Sequence, residues 1–394
     1  MYAHSIDWIH LILRWFHFIT GIAWIGSSFY FMWLDSAFEP LASPKKGVDG
    51  SLYMVHGGHF YYVEKMKPGP GEVPKKLHWF KWEATLTWIS GFLLLSVLYY
   101  VTGGVYLIDP TISSITVANA SIVGIGLLAV SWVLYDALYT SKLGDHKILG
   151  PFLSFTYITL CVYGLTHLLS GRAAYIHIGA LFGTLMVANV WVRILPAQQQ
   201  MIDATNKGET PNFELGIRAK RRSTHNSYMT FPVLFIMLSN HFPATYGNQH
   251  SWIILCLLIF VGSAIRHAMI SKSEKRNLIF IPVGAALIAL FIMTSPSTLS
   301  AQKTVDNVSF SKARQIISQR CIACHSAHPT DDVFKIAPAN IMFDEPIQIK
   351  SQAARILVRA VDNKSMPLAN KTQMTDNERE LLGRWILNGA KIDN

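Results

Sequence analysis

Apolar residues dominate the first three quarters of the 394-residue chain, where they form long runs separated by shorter polar stretches. A helix needs about 20 mostly apolar residues to cross a bilayer. Eight runs reach this length, so the pattern predicts eight membrane spans. The predicted spans are 6–34, 80–102, 117–140, 150–169, 173–195, 226–245, 250–271 and 277–294. The first run is too long for a signal-peptide core and lacks a small-x-small cleavage site, so we expect it to be retained.

The pattern changes after the last span. Residues 295–307, "SPSTLSAQKTVDN", are small and polar and predict a flexible linker. Beyond it, "SFSKARQIISQRCIACH" predicts an amphipathic helix, and "NERELLGRWILNGAKI" (377–392) predicts another. The apolar positions of this last helix are Leu381, Leu382, Trp385 and Ile386. The predicted fold class is therefore all-α, with a polytopic membrane bundle at 1–294, a linker at 295–307 and a small helical domain at 308–394.

Composition and charge support this division. The chain is 51% hydrophobic and 15% charged, whereas soluble domains have about 25% charged residues. The net charge of +10 does not indicate nucleic-acid binding, because Lys and Arg gather in loops between the apolar runs. Lys and Arg are concentrated in four loops, 36–79, 141–149, 196–225 and 272–276. The three loops between them in the chain, 103–116, 170–172 and 246–249, have a single basic residue, Arg172. The positive-inside rule then places the basic loops in the cytoplasm and both termini on the opposite, outer side of the membrane.

Cys321, Cys324 and His325 form a C-x-x-C-H motif, the attachment signal of a c-type haem. The two thiols would bond covalently to the porphyrin, and His325 would be an axial ligand of the iron. Haem attachment takes place on the outer side of bacterial-type membranes, where the even number of spans also places this motif. A zinc site or redox pair is the alternative, but zinc needs two further ligands and only His328 lies nearby in the sequence.

The sixth iron ligand is expected to be a methionine, which raises the reduction potential of a haem. Met342, Met366 and Met374 are the choices in this part of the chain. We favour Met366, because Pro367 follows it and stiffens the loop that would present the sulfur.

Ionisable residues inside predicted spans indicate function by default. His10, Arg14 and His17 follow one another at spacings of four and three, which places them on one helical face. Arg193 and Arg266 lie near span ends, where their side chains can reach lipid phosphates. Arg14 lies too deep for this, and its planar guanidinium suits a planar anion.

Several histidines share a predicted depth. His10, His167, His177, His241 and His250 fall in the outer part of the membrane or at its outer edge, and His78, His225 and His267 fall near the inner surface. Facing imidazoles are how membrane cytochromes hold b-type haem, so His17, His167, His177 and His241 are candidate ligands of a haem b. Spacing fixes no pair, and hydrogen bonds to water and neighbouring helices, or metal binding, remain open.

Five stretches carry a resemblance to a known family. They are "HLILRWFHFITGIAWIGSSFYF" (10–31), "HGGHFYYVEKMKP" (56–68), "LHWFKWEATLTWISGF" (77–92), "RSTHNSYMTFPVLFIMLSNHFP" (222–243) and "SMPLANKTQMT" (365–375). The chain resembles the bacterial membrane-bound urate hydroxylase (urate oxidase) family over essentially its whole length. Members of that family join a multi-span N-terminal domain to a C-terminal cytochrome c domain.

The resemblance implies oxidation of urate to 5-hydroxyisourate, with electrons leaving through a class I-like cytochrome c instead of forming peroxide. The implied partners are urate, the lipid bilayer and soluble or membrane cytochromes that accept electrons, and not nucleic acid. Urate is a planar anion, so it suits Arg14, with His10 or His17 as a general base. Two alternatives remain open: a quinol- or oxygen-linked membrane cytochrome complex, and a non-enzymatic anchor or metal-transport module. A homo-oligomer is compatible with the sequence, which does not fix the oligomeric state.

Overall fold

The computed structural model describes residues 2–43, 45–66, 73–74, 76–101, 104–271, 273–295 and 308–392. Most of these residues are helical. The α-helices are α1 Tyr2–Ala37, α2 Trp82–Leu95, α3 Val117–Thr140, α4 Lys142–Asp145, α5 Leu149–Thr166, α6 Gly171–Ala188, α7 Leu195–Asn206, α8 Phe213–Leu238, α9 Pro243–Tyr246, α10 Ser251–Ile270, α11 Phe280–Thr294, α12 Phe310–Arg320, α13 Pro346–Ser351, α14 Ala353–Ile356 and α15 Asp376–Leu387. The π-helical segments are Ser96–Val101, Asn189–Ile194 and Leu357–Asp362, and the 3-10 segments are Ser239–His241, Glu274–Ile279, Pro338–Asn340 and Leu368–Asn370.

Eight helices run back and forth along one bundle: α1, α2, α3, α5, α6, α8, α10 and α11. Contacts define its two ends. At one end, here the basic end, Arg222 of α8 pairs with Asp136 of α3. At the other, here the covered end, the Tyr175 hydroxyl of α6 donates to the carbonyl of Ser251, where α10 begins (2.7 Å), and the Asn248 amide donates to the carbonyl of Met293, where α11 finishes (2.8 Å). An even number of crossings therefore brings residue 295 back to the end where α1 begins.

Seven helical stretches among the described residues are long and apolar enough to span a membrane. They are Trp8–Ala37, Trp82–Val101, Val117–Thr140, Leu149–Thr166, Gly171–Asn206, Ser251–Ile270 and Glu274–Thr294. The remaining predicted span, 226–245, is not among them, and its predicted bounds are wrong. Helix α8 begins 13 residues earlier, at Phe213, and ends at Leu238. Its polar residues Asn226, Ser227 and Thr230 are buried, because α8 packs between α6 and α10 and meets protein on both sides.

The outward faces of the bundle helices are strongly apolar. Ile122 on α3 is 68% exposed, Ile281 on α11 is 70% exposed and Phe291 on α11 is 76% exposed. Contiguous apolar surface of this kind is unusual on a soluble monomer, and it matches the hydrophobic surroundings that the sequence predicts for these helices.

The all-α prediction holds broadly, since most described residues are helical, but the segment 36–79, expected to be a loop, contains a β-hairpin. Strand β1 (Val48–His56) pairs antiparallel with β2 (His59–Met66). The turn residues Gly57 and Gly58 have φ values of +58° and +79°, which suit a two-residue hairpin turn and favour glycine. The signal was present in the sequence, since "GG" lies between two segments rich in tyrosine, valine and phenylalanine.

The basic end contains a satisfied polar network inside the bundle. Arg222 is 3% exposed and its Nη2 lies 2.9 Å from the Asp136 carboxylate, which also pairs with Arg193. The Asn189 amide nitrogen donates to the Tyr135 hydroxyl (3.0 Å) and to the Asn226 side-chain oxygen (2.8 Å). These bonds join α3, the π segment after α6, and α8.

We predict that Asp136→Asn lowers the stability of the bundle by about 3–5 kcal/mol, because it leaves the buried Arg222 charge unpaired. Asp145→Asn is the control, since Asp145 forms an exposed pair with Arg221 at the same end, and such pairs contribute about 0–1 kcal/mol. Thermal unfolding in detergent measures both. Equal losses for the two variants would contradict a structural role for the buried pair.

Residues 308–392 form a C-terminal segment with its own apolar core. Phe310, Ile316 and Ile317 of α12 pack with Leu382 and Trp385 of α15. The two predicted amphipathic helices are thus confirmed as α12 and α15, and Leu381 and Ile386 border the same core. Most of the predicted linker, 296–307, lies outside the described residues.

Candidate functional site

The C-x-x-C-H motif forms a single turn at the end of α12. The backbone N–H of Cys324 and that of His325 both donate to the carbonyl of Cys321, at 3.2 and 2.9 Å. The N–H of Phe343 donates to the carbonyl of His325 (2.9 Å), which ties the turn to the next part of the segment. The side chains of Cys321, Cys324 and His325 therefore all lie on one short turn that backbone hydrogen bonds hold in place.

The imidazole of His325 has a defined orientation. Its Nδ1 donates to the carbonyl of Ile341 at 2.9 Å, so that nitrogen carries the proton and Nε2 is the acceptor. Burial lowers the pKa of His325, which keeps the ring neutral at neutral pH. A neutral imidazole with its second nitrogen bonded to a carbonyl is the usual form of a metal-ligating histidine. His325 therefore fits the role of an iron ligand.

The two thiols are not activated. Burial raises the pKa of Cys321 to about 12 and that of Cys324 to about 11. The thiolate is the form that exchanges disulfides, so the high pKa values give the redox-pair alternative no support; they do not bear on zinc, which deprotonates the cysteines that bind it. Among the described residues, no group of three or more His, Cys, Asp or Glu side chains is arranged to hold a metal ion. The donor set instead fits a haem that is attached through thioethers and held by a single histidine.

The methionines differ in their surroundings. Met374 is 3% exposed and belongs to the apolar core of the C-terminal segment. Met366 is half-buried, and its backbone is held from both sides: its N–H donates to the carbonyl of Arg359 (2.9 Å), and its carbonyl accepts from Nη1 of Arg379 (2.7 Å). A sulfur needed for packing is a poorer ligand candidate than one on a braced, partly open loop. The choice of Met366 stays a prediction.

The C-terminal segment sits on the covered end of the bundle. The ring of Phe334 meets the ring of Tyr106 edge to face, with centroids 6.2 Å apart. At Gly247 the backbones touch so closely that an added Cβ would lie 2.6 Å from the carbonyl oxygen of Asn363. These contacts seat the C-terminal segment on the loops that precede α3 and α10.

Gly247→Ala is therefore predicted to loosen the seat, since no Cβ fits at that distance. Hydrogen–deuterium exchange should rise in residues 358–366 of the C-terminal segment, which surround Asn363, the residue whose carbonyl oxygen faces Gly247. Gly164→Ala is the matched control, because an added Cβ there meets no atom within 4 Å. Unchanged exchange at 358–366 in Gly247→Ala would show that the seat does not depend on this approach.

His10, Arg14 and His17, which were predicted to share one face of α1, do not form a single group in the structure. Arg14 and His10 are together, with Nη2 2.7 Å from Nε2 of His10, and Arg14 is exposed. His17 turns towards α2, where Nδ1 lies 2.9 Å from the carbonyl of Thr87 and the ring rests on Gly91, whose added Cβ would lie 2.8 Å from Cε1 of His17. His17 is thus a contact between α1 and α2 as well as a candidate site residue.

The other predicted histidines lie in different surroundings. His177 is fully buried, with Nδ1 bonded to the carbonyl of Ala173 (2.8 Å) and Nε2 to the hydroxyl of Tyr100 (2.9 Å). His167 is exposed and bonds through Nδ1 to the carbonyl of Tyr163 (2.7 Å). His241 is exposed at the covered end. Their described contacts join each imidazole to its own neighbours, so the pairing that haem b requires stays a prediction.

A third group at the covered end was missed by sequence reasoning. The guanidinium of Arg172 lies over the ring of Tyr106, with its carbon 4.4 Å from the ring centroid. Tyr99 packs 6.3 Å from Tyr106 and 6.0 Å from His177, centroid to centroid. The available signal was that Arg172 is the single basic residue in the loops of this end.

Comparison with known proteins gives one match. The family model described as Urate oxidase N-terminal matches residues 3–296, well over half of the chain. No curated protein and no solved structure matches the chain. The matched region covers the helical bundle, including α1, the buried α6 and the loops of the covered end. It ends before the C-terminal segment, which begins at residue 308. The chain therefore belongs to the urate oxidase N-terminal family.

Proposed function

We propose that this protein is a membrane-bound enzyme that oxidises urate to 5-hydroxyisourate and delivers the electrons to a haem c held by the C-terminal segment. The observation that carries the proposal is the His325 turn. It presents a neutral imidazole with Nε2 available beside two unactivated thiols, in a segment seated on a bundle of the urate oxidase N-terminal family.

The reaction balances without oxygen. Urate and one water give 5-hydroxyisourate, two protons and two electrons, with the water oxygen forming the new C–O bond. Haem c on Cys321 and Cys324, ligated by His325 and Met366, supplies a one-electron acceptor when bound. Soluble or membrane cytochromes then take the electrons onward, so that oxygen is not reduced and no peroxide forms.

The proposed setting is a bacterial inner membrane, with the covered end facing the periplasm. The apolar faces of the bundle and the basic loops of the opposite end support this orientation. Haem attachment also requires the periplasmic side.

In the bundle, the exposed guanidinium of Arg14, already bonded to His10, offers donors for the urate anion. His17 uses Nδ1 for the Thr87 carbonyl, which leaves Nε2 for a proton or for an iron. A b-type haem on His17, His167 or His241 would supply a one-electron store between urate and the outer haem, and we retain it as part of the proposal. His177 does not fit the role of an iron ligand, because both of its ring nitrogens are already bonded inside the bundle.

Covalent haem should stay with the chain in denaturing gels. Met366→Ala should abolish the long-wavelength sulfur-to-iron absorption band of the oxidised protein, because the axial sulfur is lost. Met374→Ala is the control and should keep the band while lowering stability by about 2–5 kcal/mol, since it opens a cavity in the core of the segment. Loss of the band in Met374→Ala alone would reverse the assignment.

Arg14→Lys should slow anaerobic reduction of the haem by urate at least about tenfold, because lysine keeps the charge and loses the planar, two-pronged donor. Arg193→Lys, at the basic end, should leave the rate unchanged. Stopped-flow haem absorbance measures both variants. A wild-type rate in Arg14→Lys would remove Arg14 from the site, and reduction by a quinol but not by urate would favour a quinol-linked complex over the proposed enzyme.

A further inference from the structure

Arg172 occupies an unusual position at the covered end. It lies in the first turn of α6, and its guanidinium packs over the ring of Tyr106. Tyr106 in turn contacts Phe334 of the C-terminal segment. The N–H of Phe334 donates to the Asp331 carboxylate (2.9 Å), and the N–H of Asp331 donates to the carbonyl of Ala323 inside the C-x-x-C-H motif (3.0 Å). Arg172 is therefore at the seam between the bundle and the haem motif.

Two donors at this seam are buried without acceptors. Tyr99 is 1% exposed, and its hydroxyl makes no hydrogen bond to a described residue. The Nε of Arg172 is likewise buried and makes none at hydrogen-bond distance. The guanidinium lies close enough to the Tyr99 and Tyr106 hydroxyl oxygens to donate weakly to them, but this leaves the Tyr99 O–H proton without an acceptor. Native proteins rarely leave such donors unpaired, and an unpaired buried donor is a sign of a missing partner.

The charge at the seam is also uncompensated. Arg14 lies close enough to Arg172 for the two positive charges to repel. In the described part of the chain, neither guanidinium forms an ion pair with a carboxylate, in contrast to Arg193 and Arg222 at the basic end. Two positive charges, two free donors and an aromatic face together describe a site for a planar anion.

We propose that the urate anion binds at this seam, accepting hydrogen bonds from Arg172 Nε and the Tyr99 hydroxyl and lying against the ring of Tyr106. The inference rests on the proposed function and identifies the substrate site within it. It places the oxidised molecule next to the haem motif, and it makes Arg14 the second, more exposed charge of the same site.

The site has a thermodynamic signature that a structural role would not give. Removing an unpaired buried hydroxyl relieves a desolvation cost, whereas removing a paired one loses a hydrogen bond. Tyr99→Phe should therefore keep or raise the unfolding temperature of the urate-free protein while weakening urate binding about tenfold. Tyr139→Phe is the matched control: Tyr139 is also buried, but its hydroxyl is bonded to Ser154 (2.8 Å). This control should lower the unfolding temperature and leave urate binding unchanged.

The measurement uses the full-length haem-loaded protein, reduced under anaerobic conditions so that bound urate cannot be oxidised. Equilibrium dialysis with labelled urate gives Kd for the wild type, Tyr99→Phe, Arg172→Lys and Tyr139→Phe, and differential scanning calorimetry gives their unfolding temperatures. We expect Kd to rise about tenfold or more in the first two variants and to stay constant in the control.

Three outcomes would overturn the proposal. One is a wild-type Kd in both Tyr99→Phe and Arg172→Lys, and another is a drop in unfolding temperature for Tyr99→Phe equal to that of Tyr139→Phe. The third is unchanged urate binding in Arg172→Lys together with a shifted haem reduction potential, which would assign the anion as a haem propionate. A wild-type protein that neither binds urate nor is reduced by it would instead refute the proposed function.

Discussion

The enclosure of α6 on every side is the constraint from which the rest of the bundle follows. Tyr175, Ile178 and Leu181 are all fully buried on this helix, and α2, α3, α5 and α8 each pack against it. A buried imidazole in such a position must find its hydrogen bonds inside the protein. His177 finds them in the Ala173 carbonyl of its own helix and in the hydroxyl of Tyr100. Helix α3 passes this histidine at Gly124, where an added Cβ would lie 2.6 Å from Nε2 of His177.

The buried arginines at the two ends of the bundle have different partners. At the basic end, Arg222 is buried with a carboxylate, and asparagine and tyrosine side chains complete the network. At the covered end, Arg172 is packed against tyrosines and has no carboxylate partner among the described residues. The first arrangement is complete as it stands and holds helices together. The second is suited to a group that the protein itself does not supply.

Sequence patterns predicted the bundle and the C-terminal helices well, because both depend on local periodicity. The periodicity of Leu382 and Trp385 fixed the buried face of α15, and hydropathy located seven helices that could span a membrane. Helix α8 was misjudged because protein, not lipid, surrounds its polar residues. His10 and Arg14 could be paired from spacing alone, whereas Tyr99 and Arg172 are distant in sequence and meet only because the π-helical segment after α2 packs near the start of α6. The direction of His17 likewise depends on Gly91 of a neighbouring helix.

The seat of the C-terminal segment has a consequence for how tightly it must bind. Residues 295–307 join the last bundle helix to this segment by 13 residues, and a short tether of this kind gives an effective concentration of about the millimolar range. Two separate chains with a weak interface would stay mostly apart, whereas the same interface within one chain keeps its two halves mostly in contact. Occupancy of the seat is set by tether length as much as by contact area. Contacts of modest strength, such as those at Tyr106 and Gly247, are therefore enough to keep the segment on the bundle.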